Sequence, residues 1–142
     1  MTADDGSEVS SESLLGRHYV LYFYPKDDTP GCTTQACSLR DNWDRVNATG
    51  LEIYGVSPDS VRSHMKFREK YGLPYRLLAD VGHVVADAFG VWVEKKYMGR
   101  TYKGVERTSF IVAPDGRIQR VLPQVKPAEH VDLLLDAVGA AA

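Results

Sequence analysis

Apolar residues run almost unbroken through "HYVLYFY" (18–24) and again through "LEIYGVS" (51–57). Short runs of this kind, rich in aromatic and β-branched residues, predict strands covered on both faces. Pro25 stops the first run. Between the two, Ala36, Leu39, Trp43 and Val46 recur at helical spacing, predicting one helix over about 31–47 with Gly50 as its stop. Strand, helix, strand is a βαβ unit and implies parallel neighbours. A second helix is predicted with Ser57 as N-cap, Pro58 at its first position and Gly72 at its end.

Further along, "YRLLAD" (75–80) predicts a short strand, and 84–89 a short helix closed by Gly90. The clearest hairpin is "TSFIVAPDGRIQRVL" (108–122), where Pro-Asp-Gly separates two β-rich runs. A last helix is expected over about 127–138. The sum is an α/β chain with a central mixed β-sheet flanked by helices, for which a thioredoxin-like fold is the natural candidate. No repeat or long linker interrupts the 142 residues, so a single domain is expected. One feature is left open. Asp5-Gly6 is a turn signal with only four residues before it. Residues 1–10 are therefore either an incomplete hairpin or a disordered polar tail.

Composition narrows the function classes. The chain is 44% hydrophobic and 25% charged with a net charge of −2, and both signs are mixed along it. That balance points to neither nucleic acid nor an anionic membrane as a partner. No apolar run approaches a membrane span, and "MTADDGSEVSSES" is too polar for a secretory signal, so a cytoplasmic location is expected. In a reducing compartment a disulfide is usually transient and catalytic, so the chain's two cysteines lean toward chemistry.

Both lie in "PKDDTPGCTTQAC" (25–37). A closed zinc site needs about four ligands. Two thiols and four scattered histidines (His18, His64, His83, His130) do not supply them, so no metal and no cofactor is expected. Free cysteines often merely pack, but Cys32 follows Thr-Pro-Gly after a buried strand, in the first turn of the predicted helix. Unpaired amides and the helix dipole there favour a thiolate. On an ideal helix residues five apart differ by about 7.5 Å in rise and about 140° around the axis, placing their Cα atoms roughly 8 to 9 Å apart. A disulfide needs them within about 7 Å. Cys32 and Cys37 can therefore bridge only if the first turn unwinds, which Gly31 would ease.

The sequence resembles peroxiredoxins of the Q type, the bacterioferritin comigratory group. Pro25, Thr29 and Cys32 meet the family's Pro-x-x-x-Thr-x-x-Cys pattern, and "TTQAC" carries a second cysteine where this subgroup has its resolving one. The likeness continues through "YFYPKDDTPGCTTQACSLRDNWD", "FGVWVEKKYMGRTYKGVERTSFIV" and the Pro-Asp-Gly hairpin. It implies reduction of hydrogen peroxide and organic hydroperoxides. Cys32 would be the peroxidatic thiol and Cys37 the resolving one, joined in an intramolecular disulfide that thioredoxin or a similar dithiol reduces. It further implies that Thr29 orients peroxide, that Pro25 shields the sulfur, and that Arg107 in "ERTSF" supplies the cation. A monomer is expected.

Plainer roles stand beside these. Thr29 could simply cap the helix, Pro25 end the strand, and Arg107 be a solvated strand-end charge. Trp43 is assigned to the core stripe, Trp92 and Met98 to packing ahead of the alternative that they line the pocket, and "RSHMKFREK" (62–70) to a solvated helix face or at most a docking surface for a reductant. His64 and His130 have no local partner suggesting a base. The resemblance also implies N-terminal residues completing a hairpin before Asp5-Gly6, which the chain lacks. A poorly packed first strand, with apolar surface open to non-native dimers, is expected there. The alternatives are a general thiol-disulfide oxidoreductase, against which the four-residue gap between cysteines counts, and a non-enzymatic binding or chaperone module.

Overall fold

Eight strands and five helices are present in the computed structural model, which describes residues 1–141. In chain order they are β1 (Thr2–Ala3), β2 (Tyr19–Phe23), α1 (Pro30–Asp41), α2 (Trp43–Asn47), β3 (Glu52–Ser57), α3 (Val61–Tyr71) and β4 (Arg76–Ala79). Then follow α4 (Val84–Ala88), β5 (Trp92–Tyr97), β6 (Arg100–Val105), β7 (Thr108–Val112), β8 (Ile118–Leu122), a 3₁₀ turn (Pro127–Glu129) and α5 (His130–Ala141). Six strands form one sheet in the order β1-β4-β3-β2-β7-β8. β2, β3 and β4 run parallel, whereas β1, β7 and β8 pair antiparallel with their neighbours. The expected mixed sheet is present.

Its apolar strands are explained by two faces. In β2, Val20 and Tyr22, with Tyr24 just beyond, point into a core shared with Ala36 and Leu39 of α1, Val46 of α2, Phe67 of α3 and Leu134 of α5. Tyr19, Leu21 and Phe23 point the other way, onto Ala86 of α4, Val105, Phe110 and Leu14. Each large side chain so buried contributes about 1.5–3 kcal/mol, which is why the strand tolerates no polar face.

Three details differ from the sequence expectation. The helix predicted over 31–47 is two helices. Asn42, at φ −107° and ψ 19°, breaks it, and its side-chain amide donates to the Ser38 carbonyl at 2.9 Å. A short polar side chain has here competed with the helical ladder. The cap of α3 is Ser60, not Ser57, and its hydroxyl accepts from the Ser63 N–H at 3.2 Å. Ser57 instead ends β3 and donates to Asp59 at 2.6 Å. Third, β5 and β6 form a separate two-stranded ribbon that the sequence reading did not contain. Its turn residue Met98 is 85% exposed, so the packing role assigned to it is wrong.

The N-terminal residues form a short hairpin-like turn. β1 pairs with β4, Thr2 bridges to Glu8, and Gly6 turns at φ 85°. Buried Asp4 fastens it, accepting from the Leu77 N–H at 3.1 Å and from Arg76 at 3.2 Å. An apolar cavity of about 280 Å³, lined by Met1, Val9, Leu14, Leu21, Leu78 and Phe89, opens beneath this segment. No helix among the described residues is long and apolar enough to cross a membrane.

Candidate active site

The turn between β2 and α1 is bolted to α3. Asp27 is nearly buried; its carboxylate accepts from the Tyr24 hydroxyl at 2.5 Å, the Ser63 hydroxyl at 2.8 Å and His64 Nδ1 at 2.7 Å. The Asp27 N–H donates to Asp59 at 2.8 Å. His64 Nε2 lies 2.9 Å from the Leu78 carbonyl, so the ring is held at both nitrogens, by Asp27 on one side and by β4 on the other. Next door, Asp28 holds a left-handed φ of 56° and accepts from Lys70 at 2.7 Å and Tyr71 at 2.6 Å. Those two bonds hold its carboxyl below the usual carboxylate range. Asp27, Asp59 and His64 bring their donor atoms within 4.8 Å of one another, but they are bonded to each other and to Tyr24, Ser57, Ser63 and Leu78. The cluster is an anchor for the turn.

This anchored turn delivers Cys32 to the third position of α1, only 2% exposed. That position is in the first turn of the helix, where the helix dipole favours negative charge. Arg107, between β6 and β7, reaches across so that Nη2 lies 3.4 Å from Sγ. Gly31 permits that approach. A Cβ there would stand 3.2 Å from Arg107 Nη2 and 3.6 Å from Pro127 Cγ. The glycine therefore serves close packing in this state.

The remaining expected residues lie in the turn before α1 and along that helix. Pro25 is half-buried two residues beyond the end of β2. Thr29 is the N-cap residue of α1 but makes no side-chain cap bond; its hydroxyl donates to the Lys26 carbonyl at 2.9 Å. The capping alternative is thus not how its hydroxyl is used, and its lone pairs stay free to accept a proton donor. Cys37 is half-buried further along the same unbroken helix, and both thiols are free. Trp43 packs against Tyr75 at 5.8 Å, and Trp92 stacks on His83 at 3.8 Å, as packing residues should.

Sequence reasoning missed the groups behind the guanidinium. Gln35, wholly buried, accepts from Arg107 Nη1 at 2.6 Å, and its amide nitrogen meets His130 Nδ1 at 3.1 Å. His130 Nε2 lies 2.7 Å from the Ser109 hydroxyl. The available signal was a polar Gln three residues after Cys32, on the inward stripe of an otherwise apolar helix face. For His130 there was none, because its partners lie far off in sequence. Lys95 is also near: burial first, then the Arg107 charge, lowers its pKa.

A buried thiol at a helix N-terminus, met by a guanidinium on a thioredoxin-like fold, defines a protein of thiol redox chemistry. The AhpC/TSA family matches residues 1–121, and the chain belongs to that family. It is 43% identical over 132 residues to the peroxiredoxin Bcp of Escherichia coli strain K12, covering 93% of this chain and 85% of that protein. With the peroxiredoxin Bcp of Bacillus subtilis strain 168 it shares 45% identity over 131 residues, covering 92% and 83% respectively. Among solved structures, the bacterioferritin comigratory protein of Xanthomonas campestris superposes with a TM-score of 0.92 at 35% identity, covering 99% of this chain and 89% of that one. That protein was trapped in intermediate and ligand complexes that bear on its alkyl peroxide reduction activity.

Proposed function

We propose that this peroxiredoxin reduces hydrogen peroxide and alkyl hydroperoxides through Cys32, with Cys37 as resolving thiol and a thioredoxin-like dithiol as reductant. The observation that carries this reading is the Arg107 guanidinium 3.4 Å from the buried sulfur of Cys32. A guanidinium stays charged at any working pH and presents several N–H donors in one plane. It can hold the thiolate and a peroxide oxygen together while charge moves from one to the other.

The sulfur attacks the distal oxygen and the O–O bond breaks. The leaving alkoxide or hydroxide takes a proton and departs as alcohol or water, and Cys32 is left as sulfenic acid. Thr29, its hydrogen engaged by Lys26, accepts from the peroxide O–H. Pro25 covers the sulfur without offering a competing N–H. The Cys37 thiolate then attacks the Cys32 sulfur, water leaves, and a disulfide forms. An external dithiol exchanges with it and restores both thiols. Because both cysteines belong to one chain, a monomer in a reducing cytoplasm suffices, and the whole chain acts as one domain. The rival reading as a general dithiol oxidoreductase lacks the two-residue spacing such enzymes use.

Peroxide consumption coupled to a thioredoxin recycling system tests the reading. Cys32→Ser and Cys37→Ser are both expected to abolish turnover. Cys37→Ser alone is expected to complete one oxidation, leaving a sulfenic acid that a dimedone probe traps. Undiminished turnover in Cys32→Ser would overturn the assignment.

A further inference from the structure

We propose that His130 is a positioning residue, acting through Gln35 to fix the Arg107 guanidinium against the sulfur of Cys32. This rests on the reading of Cys32 as the reacting thiol. Arginine has a long side chain with many rotamers, and one contact to a sulfur does not fix the plane of its head. Its second terminal nitrogen is fixed by Gln35 Oε1, the shorter of the two contacts at 2.6 Å.

The orientation of every group behind it follows in sequence. Arg107 has only donors, so the Gln35 carbonyl oxygen must face it and the amide nitrogen must face away. That nitrogen meets His130 Nδ1 at 3.1 Å, which must therefore accept and carry no proton. The ring proton sits on Nε2 and is donated to the Ser109 hydroxyl at 2.7 Å. No member can turn over without setting two donors face to face.

The surroundings enforce that single arrangement. Gln35 and His130 are both wholly buried, so water cannot replace a lost partner. Burial and then the Arg107 charge lower the His130 pKa to about 3, so the ring stays neutral wherever the enzyme works. A charged ring would repel the guanidinium and turn a donor toward the Gln35 amide. The ring also packs edge-on against Tyr22, with centroids 5.3 Å apart. Ser109 lies on β7 two residues after Arg107, Gln35 on α1, and His130 at the start of α5. The chain of bonds thus references the guanidinium to three separate elements.

The test uses the Cys37→Ser protein as parent, so that single reactions of Cys32 are read. Two rates are measured for the parent, His130→Leu, His130→Asn, Arg107→Met and the His130→Leu/Arg107→Met double variant. They are oxidation by hydrogen peroxide and alkylation by iodoacetamide across pH. His130→Leu is expected to slow both by about tenfold and to move the alkylation profile to higher pH, as loss of one preorganised electrostatic contact would. His130→Asn, whose carbonyl can accept in place of Nδ1, is expected to recover to within about threefold. In the Arg107→Met background His130→Leu is expected to add less than about twofold, because interacting sites are not additive. Ser109→Ala removes the far anchor with little change in volume and is expected to lose about threefold, again only while Arg107 is present. It serves if His130→Leu fails to fold.

Rates in His130→Leu within twofold of the parent, or losses that multiply with that of Arg107→Met, would overturn the proposal. Alkylation keeps this outcome separate from the peroxidase reading. If Cys32 alkylates normally in the parent yet ignores peroxide, it is the peroxidase reading that fails.

Discussion

Single atoms decide much of the chemistry at the residue scale. Gly31 has an ordinary backbone conformation, so its importance is the missing Cβ, which would come within 3.2 Å of Arg107 Nη2. Gly31→Ala is therefore expected to leave stability unchanged or raise it by up to about 1 kcal/mol through helix propensity. Its Cys32 oxidation rate is expected to fall severalfold as the guanidinium is pushed aside. Urea denaturation and stopped-flow peroxide kinetics separate the two effects, and a slower rate accompanied by lost stability would contradict the account. Of the five site residues expected from the sequence, Cys32 and Arg107 meet near the start of α1, Thr29 is that helix's N-cap residue, Cys37 follows on the same helix, and Pro25 precedes it in the turn. They were legible because the turn motif carries most of them within thirteen residues of sequence. Arg107 entered only through family resemblance. Gln35 and His130 were not legible as partners, since 95 residues separate them and no local pattern reports such a pairing.

Among the elements, the strands of the main sheet were the most legible. Their apolar runs are long enough to state burial on two faces, and Pro-Asp-Gly set its hairpin with Gly116 at φ 87°. The β5–β6 ribbon was not, because it stands largely outside both cores and its residues are mostly half-buried or exposed. Its two turn residues, Met98 at φ 49° and Gly99 at φ 75°, both adopt positive φ. Asn-Gly at such a turn is a strong hairpin signal, and Met in place of Asn hides it. The anchored turn before α1 gives the element-scale prediction. Asp27→Ala leaves the buried His64 Nδ1 and the Ser63 hydroxyl without their carboxylate partner and loosens the turn from α3. Leaving buried polar groups unpaired in this way is expected to destabilise the protein by about 1–3 kcal/mol in urea denaturation. A loss below about 1 kcal/mol would show that the turn is held elsewhere.

Across the whole molecule, stability should depend on pH through the same histidine that orders the site. The folded pKa of His130 is lowered from 6.5 to about 3. Between those values the unfolded chain binds the extra proton and the folded one does not, so stability rises with pH across the window. On acidification the wild type should lose about 1.4 kcal/mol per pH unit from this group as pH falls below about 6.5. The urea-midpoint difference between wild type and His130→Asn should therefore narrow from pH 7 to pH 4. A constant difference would contradict burial of a neutral ring. The sheet itself is intolerant at Gly55, where a Cβ would meet Leu77 and Tyr22 at 2.8–2.9 Å. Tyr22 cannot retreat, being wholly buried and bonded to the Tyr75 hydroxyl at 2.7 Å.

The central claim joins these scales: the helix that activates Cys32 must open for Cys37 to reach it. Both thiols are free and sit five residues apart on one continuous helix. Ideal helical geometry keeps their Cα atoms roughly 8 to 9 Å apart, beyond disulfide reach. Peptide-resolved amide hydrogen exchange over Pro30–Asp41, before and after one equivalent of peroxide, tests this directly. The account predicts a Cys32–Cys37 disulfide together with faster exchange from Gly31 to Cys37, while β2 and β3 stay protected. A disulfide formed with exchange in that segment unchanged would contradict it.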